Sequence, residues 1–447
     1  MTFRDEAAAY LARHPDLQSV EVLFADVSGI LRGKEYPAAD LPSLAAKGMA
    51  SPASHLMLDA SGHTEHPYLG AGFEGDPDVR FSPVPGNLRP VPWRGQPTAQ
   101  MLMAAETLEG APHFADPRHL ARRALQPLLD MGLTPVVALE LELYFLDMSG
   151  ELPRPIAPSG ALPRLEGTQC MSMDVLDDYR DLIEEAKSVC EAQGIPVTSI
   201  LTEFGDGQFE ANLRHVADAV AAADDAVMMK RALKAVARRR GAVASFMAKP
   251  FAEGTGSGLH VHLSLLDREG RNIFGGRGGD VRLGHAIGGL MQLMPESMLL
   301  FAPNANSYRR LAPGQFVPME PSWAANERGV AIRLPVAGEK DARFEHRVAG
   351  ADACPYLAVA GVLTGVHHGL THEIDPGPMS REATPVAATP LPNRWSAAIE
   401  AFAGARVLPR YLGDEFMRVY LNMKRFEEQR YHAEIPDRDR AWYLRTV

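Results

Sequence analysis

Lys249-Pro-Phe-Ala-Glu-Gly-Thr-Gly-Ser-Gly-Leu-His-Val-His-Leu-Ser264 carries two signals in one short stretch. Gly254, Gly256 and Gly258 sit at every second position. That spacing suits a loop whose backbone must approach a ligand closely. The Gly-Lys-Ser/Thr ending of a Walker phosphate loop is missing. From His260 onward polar and apolar residues alternate: His260, Val261, His262, Leu263, Ser264. A strand sends alternate residues to one face, so His260, His262 and Ser264 are expected to point the same way. Taken alone, the stretch also fits a glycine loop ahead of an ordinary strand with two surface histidines.

Working outward, Leu139-Glu-Leu-Glu-Leu-Tyr-Phe145 places Glu140 and Glu142 two apart in an otherwise apolar strand. Both point to one face of a segment that reads as buried, and a buried carboxylate is costly unless paired or bound to metal. Glu203-Phe-Gly-Asp-Gly-Gln-Phe-Glu210 brackets a turn with two more glutamates. In Arg343-Phe-Glu-His-Arg347, alternation puts Arg343, Glu345 and Arg347 on one face. Five glutamates and one histidine form a ligand set for a hard divalent cation, magnesium or manganese rather than zinc. The arginines Arg310, Arg328, Arg333 and Arg347 imply an anionic substrate or a transferring phosphoryl group.

Composition narrows the class. The chain has 447 residues, 46% hydrophobic and 23% charged, a globular composition long enough for more than one domain. Its formal net charge of −11 argues against a nucleic-acid backbone or an anionic membrane as partner. Cys170, Cys190 and Cys354 are widely spaced, with neither a disulfide framework nor metal spacing, which fits a reducing cytosol. The first residues carry acidic groups and no apolar core, unlike a signal peptide. No apolar run of about 18 residues suggests a membrane span.

In chain order, residues 2–14 predict a helix, and Val20–Ala25 with Ile30–Tyr36 predict a hairpin turned at 26–29. Asp26 alone reads as a turn former. Prolines crowd 82–98, and the expected division places one domain at 1–100 and another at 101–447. Helices are expected at 117–132, 174–193, 216–240, 281–300 and 352–371, and through the last 50 residues. The basic run 238–240 reads as a solvated helix end matched to its dipole. Residues 148–170 and 375–395 read as loops.

Two more segments, Asn306-Ser-Tyr-Arg-Arg-Leu-Ala-Pro-Gly314 and Asn326-Glu-Arg-Gly-Val-Ala-Ile-Arg-Leu-Pro335, complete a series. Together these segments resemble the glutamine synthetase family, in family order over nearly the whole chain. The resemblance implies an α+β fold: a small N-terminal β-grasp-like domain and a large catalytic domain with an antiparallel sheet flanked by helices. It implies one metal site at Glu142, Glu203 and Glu210 and another at Glu140, His260 and Glu345, with two or three Mg2+ or Mn2+ per site. ATP would meet His262, Ser264, Arg328, Arg333, Lys340 and Arg343, and glutamate would meet Gly256, Arg310 and Arg347. Arg310 and Arg328 would be catalytic, as would Asp26, reaching into a neighbouring subunit's site to help bind the nucleophile. The implied assembly is a cytoplasmic dodecamer of two stacked hexamers.

Three positions depart from the ammonia-using members. Those carry a glutamate two residues after the Pro-Gly of the Arg-Leu-x-Pro-Gly segment, where this chain has Phe316. Thr255 replaces the loop asparagine, and Cys170 stands where a tyrosine lines the ammonium site. The adenylylation segment is missing as well. Phe316 and Cys170 make the pocket roomier and more apolar, which suits an alkyl chain on the amine. The implied activity is an ATP-dependent ligase joining the γ-carboxylate of glutamate to a polyamine, diamine or other primary alkyl amine, through a γ-glutamyl phosphate, as in γ-glutamylputrescine and γ-glutamylpolyamine synthetases. A glutamine synthetase using ammonia and a catalytically silent ring-forming relative are the alternatives.

Overall fold

The computed structural model describes residues 2–64, 73–158, 170–314, 316–380 and 390–447. Two sheets organise it. The first holds β1 (Ser19–Ala25), β2 (Leu31–Pro37), β3 (Met49–Pro52), β4 (Asp78–Pro83), β5 (Arg89–Pro90) and β6 (Thr98–Glu106). Its order is β2-β1-β6-β4-β3, with β5 on β6. β1 and β6 run parallel at the centre, Val22 opposite Met101, while β1 and β2 form the expected antiparallel hairpin. Val20, Val22, Ala99 and Met101 are fully buried in it. The helix α1 (Phe3–Arg13) starts at a capping box in which Thr2 and Asp5 satisfy each other's amides. The division expected at residue 100 falls inside β6, so we propose the junction within 107–116.

The second sheet is larger. It holds β7 (Thr134–Asp147), β8 (Arg154–Pro155), β9 (Val197–Thr202), β10 (Gln208–Leu213), β11 (Val243–Ser245), β12 (Leu259–Leu266), β13 (Trp323–Ala325), β14 (Ile332–Leu334) and β15 (Phe344–His346). The order is β13-β14-β15-β12-β7-β10-β9, with β8 and β11 also on β7. The sheet is not wholly antiparallel as expected: β13 and β14 pair in parallel. The N–H groups of Asn326 and Ile332 bond to Leu334 and Ser322, which lets this short edge turn back on itself.

Helices cover the sheet: α2 (Pro117–Asp130), α3 (Arg180–Ala192), α4 (Ala219–Arg239), α5 (Gly279–Phe301), α6 (Pro355–His372), α7 (Trp395–Ala403) and α8 (Asp414–Ala433). α4 lies on the face of β7 formed by Leu139, Leu141, Leu143 and Phe145, each no more than 1% exposed. Burying each such side chain stabilises the fold by about 1.5–3 kcal/mol. Asp224 of α4 ties three helices: Arg118 of α2 grips it through two bonds of 2.8 and 2.9 Å, and the Tyr356 hydroxyl of α6 donates to it at 2.8 Å. α5 and α6 cross closely enough that a Cβ on Gly289 would stand 2.2 Å from the Gly365 carbonyl oxygen.

The helix expected over 174–193 is broken. A short helix, Met173–Asp178, precedes α3, and Tyr179 between them leaves helical geometry. Its ring meets Phe209 edge-on and its hydroxyl donates to the Ile156 carbonyl, so tertiary packing overrides a continuous local pattern. At the end of α4, Arg239 and Arg240 pair with Glu185, as a solvated helix end should. The loops expected at 148–170 and 375–395 lie partly outside the described residues.

Candidate active site

The leucines of β7 face the core, so period-two alternation drives Glu140 and Glu142 to the opposite face. Register then does the rest. Across β12, His260 stands opposite Glu140. Across β10, Glu210 stands opposite Glu142. Across β15, Glu345 stands opposite His262. The core sides of the same strands, Val261, Leu263, Ala211 and Phe344, are fully buried. Four neighbouring strands thus present carboxylates and imidazoles on one face because their apolar residues are locked on the other.

Two ligand groups result. Glu140, His260 and Glu345 bring donor atoms within 4.8 Å of one another, and so do Glu142, Glu210 and His260. The first group is the set expected for one metal. The second holds two of the three residues expected for the other, with His260 in place of Glu203. Glu203 follows β9, and its Oε2 accepts from the Phe204 amide at 3.0 Å. It remains close enough to feel the charge of Glu142.

The electrostatics fit cations. Burial first, then the charges of Glu140 and Glu142, push the Glu210 carboxyl up to about 8. Burial and Glu142 push Glu203 up to about 7. Clustered carboxylates that resist ionising are what a divalent cation relieves, and the oxygen-rich donor set suits magnesium or manganese. On the other side of the cluster, burial opposes ionisation of Glu140, but the His260 and His262 imidazoles overcome it and hold the carboxyl far below its usual range. His262 Nε2 lies 2.9 Å from Glu140 Oε1. Glu345 is also held down, to about 2, because the charges of His260 and Arg347 outweigh its burial.

Residues 114–443 match the glutamine synthetase catalytic domain. The chain belongs to the glutamine synthetase family. It is 38% identical over 456 aligned positions to γ-glutamylputrescine synthetase PuuA of Escherichia coli strain K12, covering 100% of this chain and 95% of that one. It is 29% identical to glutamate–isopropylamine ligase of a Pseudomonas species, over 98% and 97% of the two chains. Among solved structures, a GmaS complex with ADP superposes with a TM-score of 0.84 at 28% identity, covering 98% of this chain and 99% of that one.

Two of the arginines expected at the site reach one of its carboxylates. Arg333 donates through Nη1 to Glu345 Oε2 at 2.7 Å, and Arg347 donates to Glu345 Oε1. Arg347 also donates to the Arg328 carbonyl at 3.1 Å. Arg343 Nε donates to His262 Nδ1 at 3.4 Å. Ser264 is half-buried further along β12, while Arg328 and Lys340 are exposed at the edge. Arg310 is buried and bonds the carbonyls of Val348 and Arg347. Gly256 is buried too, and the close approach that demands glycine there is by Arg310, whose Cγ would stand 2.7 Å from an added Cβ. That is a packing reason, where the sequence suggested a ligand.

Asp26 does not join this group. Its carboxylate accepts from the Ser28 and Ile30 amides and from Arg32 Nε, each at 2.9 Å. It is fully buried in its own chain, and burial raises its carboxyl to about 6. Cys170 sits beside the basin: burial first, then Glu203 and Glu210, push its thiol up. Phe316 is 67% exposed, and its ring lies 6.3 Å from that of Phe204. Sequence reasoning missed Phe204. The available signal was a large apolar residue immediately after Glu203, in a turn that offers it no core.

Proposed function

We propose that this chain is an ATP-dependent ligase that joins the γ-carboxylate of glutamate to a primary alkyl amine, with release of ADP and phosphate. The observation that carries the reading is the aromatic pair Phe204 and Phe316 beside the two overlapping groups of glutamates and His260. An ammonium pocket needs acidic and polar walls, and an aromatic wall favours carbon. The relatives named for putrescine and isopropylamine support the same class of nucleophile.

The chemistry divides into two displacements. A γ-carboxylate oxygen of glutamate attacks the γ-phosphorus of ATP, and the bond to the ADP oxygen breaks. The amine first gives up its extra proton to solvent; its nitrogen then attacks the acyl carbon of the γ-glutamyl phosphate, and phosphate leaves carrying the proton shed as the amide forms. Two or three Mg2+ or Mn2+ held by Glu140, His260 and Glu345 and by Glu142, Glu210, His260 and Glu203 would offset the repulsion between carboxylate and triphosphate. Gly256, Arg310 and Arg347 are assigned to glutamate, Gly256 also giving Arg310 its room. His262, Ser264, Arg328, Arg333, Lys340 and Arg343 are assigned to the nucleotide, where fixed cations oppose charge developing on the phosphoryl oxygens. Phe316 and Cys170 are assigned to the amine pocket. Asp26 is assigned to the nucleophile in a neighbouring subunit's site, held in place by its three bonds within its own chain.

We place the protein in the cytoplasm as a dodecamer of two stacked hexamers. Three free cysteines and the absence, among the described residues, of a helix long and apolar enough to cross a membrane are compatible with that location. The deciding experiment is phosphate release from ATP with glutamate and, in turn, ammonia, methylamine, ethanolamine, putrescine, cadaverine and spermidine. Alkyl amines should support turnover well above ammonia. Turnover with ammonia alone would replace this reading with a glutamine synthetase, and turnover with none would leave a silent relative.

A further inference from the structure

Three large apolar side chains stand in the open at the mouth of the carboxylate basin: Phe204 at 47% exposure, Phe316 at 67% and Met171 at 69%. Each is tied to the basin or to another of the three. The Phe204 amide donates to Glu203. The Met171 amide donates at 2.9 Å to the carbonyl of Thr202, the residue before Glu203. Phe316 arrives from a separate loop, and its ring is within 29° of parallel to that of Phe204.

Backbone strain collects at the same place. Five described residues other than glycine have left-handed φ, and Met171 (58°) and Phe316 (50°) are two of them. A third, Asn326 (53°), accepts a bond from Arg333 through its side chain. Side chains with a Cβ rarely adopt this conformation, and strain of this kind concentrates where a structure must aim a group for function. In this conformation the Phe316 ring lies 6.3 Å from that of Phe204.

Any aliphatic wall would serve an uncharged alkyl chain. Aromatic faces add a negative quadrupole that attracts a cation. Asp206, exposed and two residues beyond Phe204, adds negative charge on the same turn. Resting on the amine-ligase reading, we propose that Met171, Phe204 and Phe316 form a rim selecting amines with a second cationic end, an α,ω-diamine. The carbon chain lies along Met171 and Phe316, and the distal ammonium sits against the Phe204 and Phe316 rings.

The test compares putrescine with n-butylamine, which has the same carbon chain and no distal charge. Specificity constants are measured at saturating glutamate and ATP for the wild type, Phe204→Leu and Phe204→Ala. All these changes are at an exposed position, so folding is preserved. The wild type should prefer putrescine. Phe204→Leu keeps apolar surface and loses the quadrupole, so the ratio of putrescine to butylamine specificity constants should fall about threefold to fivefold. Phe204→Ala should lower both amines and leave the Michaelis constants for glutamate and ATP unchanged. Equal wild-type use of the two amines, or equal losses in Phe204→Leu, would overturn the rim proposal and leave the ligase reading standing. No turnover with any amine would remove the ligase reading and the rim with it.

Discussion

Glu140 and His260 face each other across the β7–β12 ladder, with His260 Nδ1 3.4 Å from Glu140 Oε2. The same imidazole stands 3.5 Å from Glu345 Oε1 and also belongs to the group of Glu142 and Glu210. One histidine therefore sits between both sets of cation ligands, on a strand whose opposite face is sealed by Val261 and Leu263.

Glu210→Ala separates the two sets. It removes a carboxylate from the Glu142, Glu210 and His260 group and leaves Glu140, His260 and Glu345 intact. No core side chain is emptied, so the protein should fold and assemble. Turnover in magnesium should fall on the order of 100-fold or more, and Mn2+ titration should show one fewer tight cation per chain. Wild-type activity at ordinary magnesium would refute the assignment.

The raised carboxyls of Glu203 (about 7) and Glu210 (about 8) give a pH signature. Both exceed their ordinary value because of burial and neighbouring negative charge, so the folded chain binds more protons than the unfolded one. Their destabilising effect is absent below about pH 4.5, grows above it and is complete above about pH 8. Cations displace those protons, so stabilisation by magnesium should increase through the same window. The gap in thermal midpoint between magnesium and chelator should be larger at about pH 8.5 than at about pH 6. A gap that stays constant or shrinks would show that these carboxylates do not hold the cations.

Much of this site is legible from alternation alone. Glu140 and Glu142 among leucines, and His260 and His262 between Val261 and Leu263, announce which face they share. What alternation cannot convey is register between distant strands. Nothing local places His260 opposite Glu140, yet that pairing brings His260 into both ligand groups. Tyr179 is similar: its helical spacing is sound, and contacts such as Phe209 and the Ile156 carbonyl, brought in by the sheet, meet it where the helix breaks. Phe204 lies in a turn with no periodicity to read. The reason for Gly256 also emerges only when Arg310 arrives from a helix more than 50 residues on.

Asp26 offers a test of structure against catalysis. Asp26→Asn keeps one acceptor oxygen for the turn amides and loses the charge facing Arg32. Because the carboxylate is fully buried, stability should drop by about 1–3 kcal/mol. A role confined to positioning predicts less than a tenfold loss in turnover. A general base would cost about 10²–10⁴-fold with little change in thermal midpoint. Measuring both in one variant separates the roles, and a large kinetic loss at unchanged stability would support proton transfer by Asp26 in a neighbour's site.

Phe316→Glu asks whether the wall of the pocket sets the nucleophile. The side chain is 67% exposed, so a carboxylate there is solvated and the fold should tolerate it. A primary alkyl amine resembles the lysine side chain, with a pKa near 10.4, and is almost wholly protonated at pH 7. The wild-type pocket must therefore recover binding from the carbon chain, where each buried methylene contributes about 1 kcal/mol or more. Replacing the ring with a carboxylate removes that contact and supplies an acceptor for an ammonium proton. The specificity constant for putrescine should fall about tenfold or more, and ammonia use should rise from a low base. Efficient glutamine synthesis is not expected, because Thr255 and Cys170 still differ from the asparagine and tyrosine of the ammonia-using members. The decisive quantity is the ratio of the putrescine and ammonia specificity constants in the two proteins. A ratio unchanged by the substitution, or a wild type that already prefers ammonia, would mean that the aromatic wall does not choose the amine.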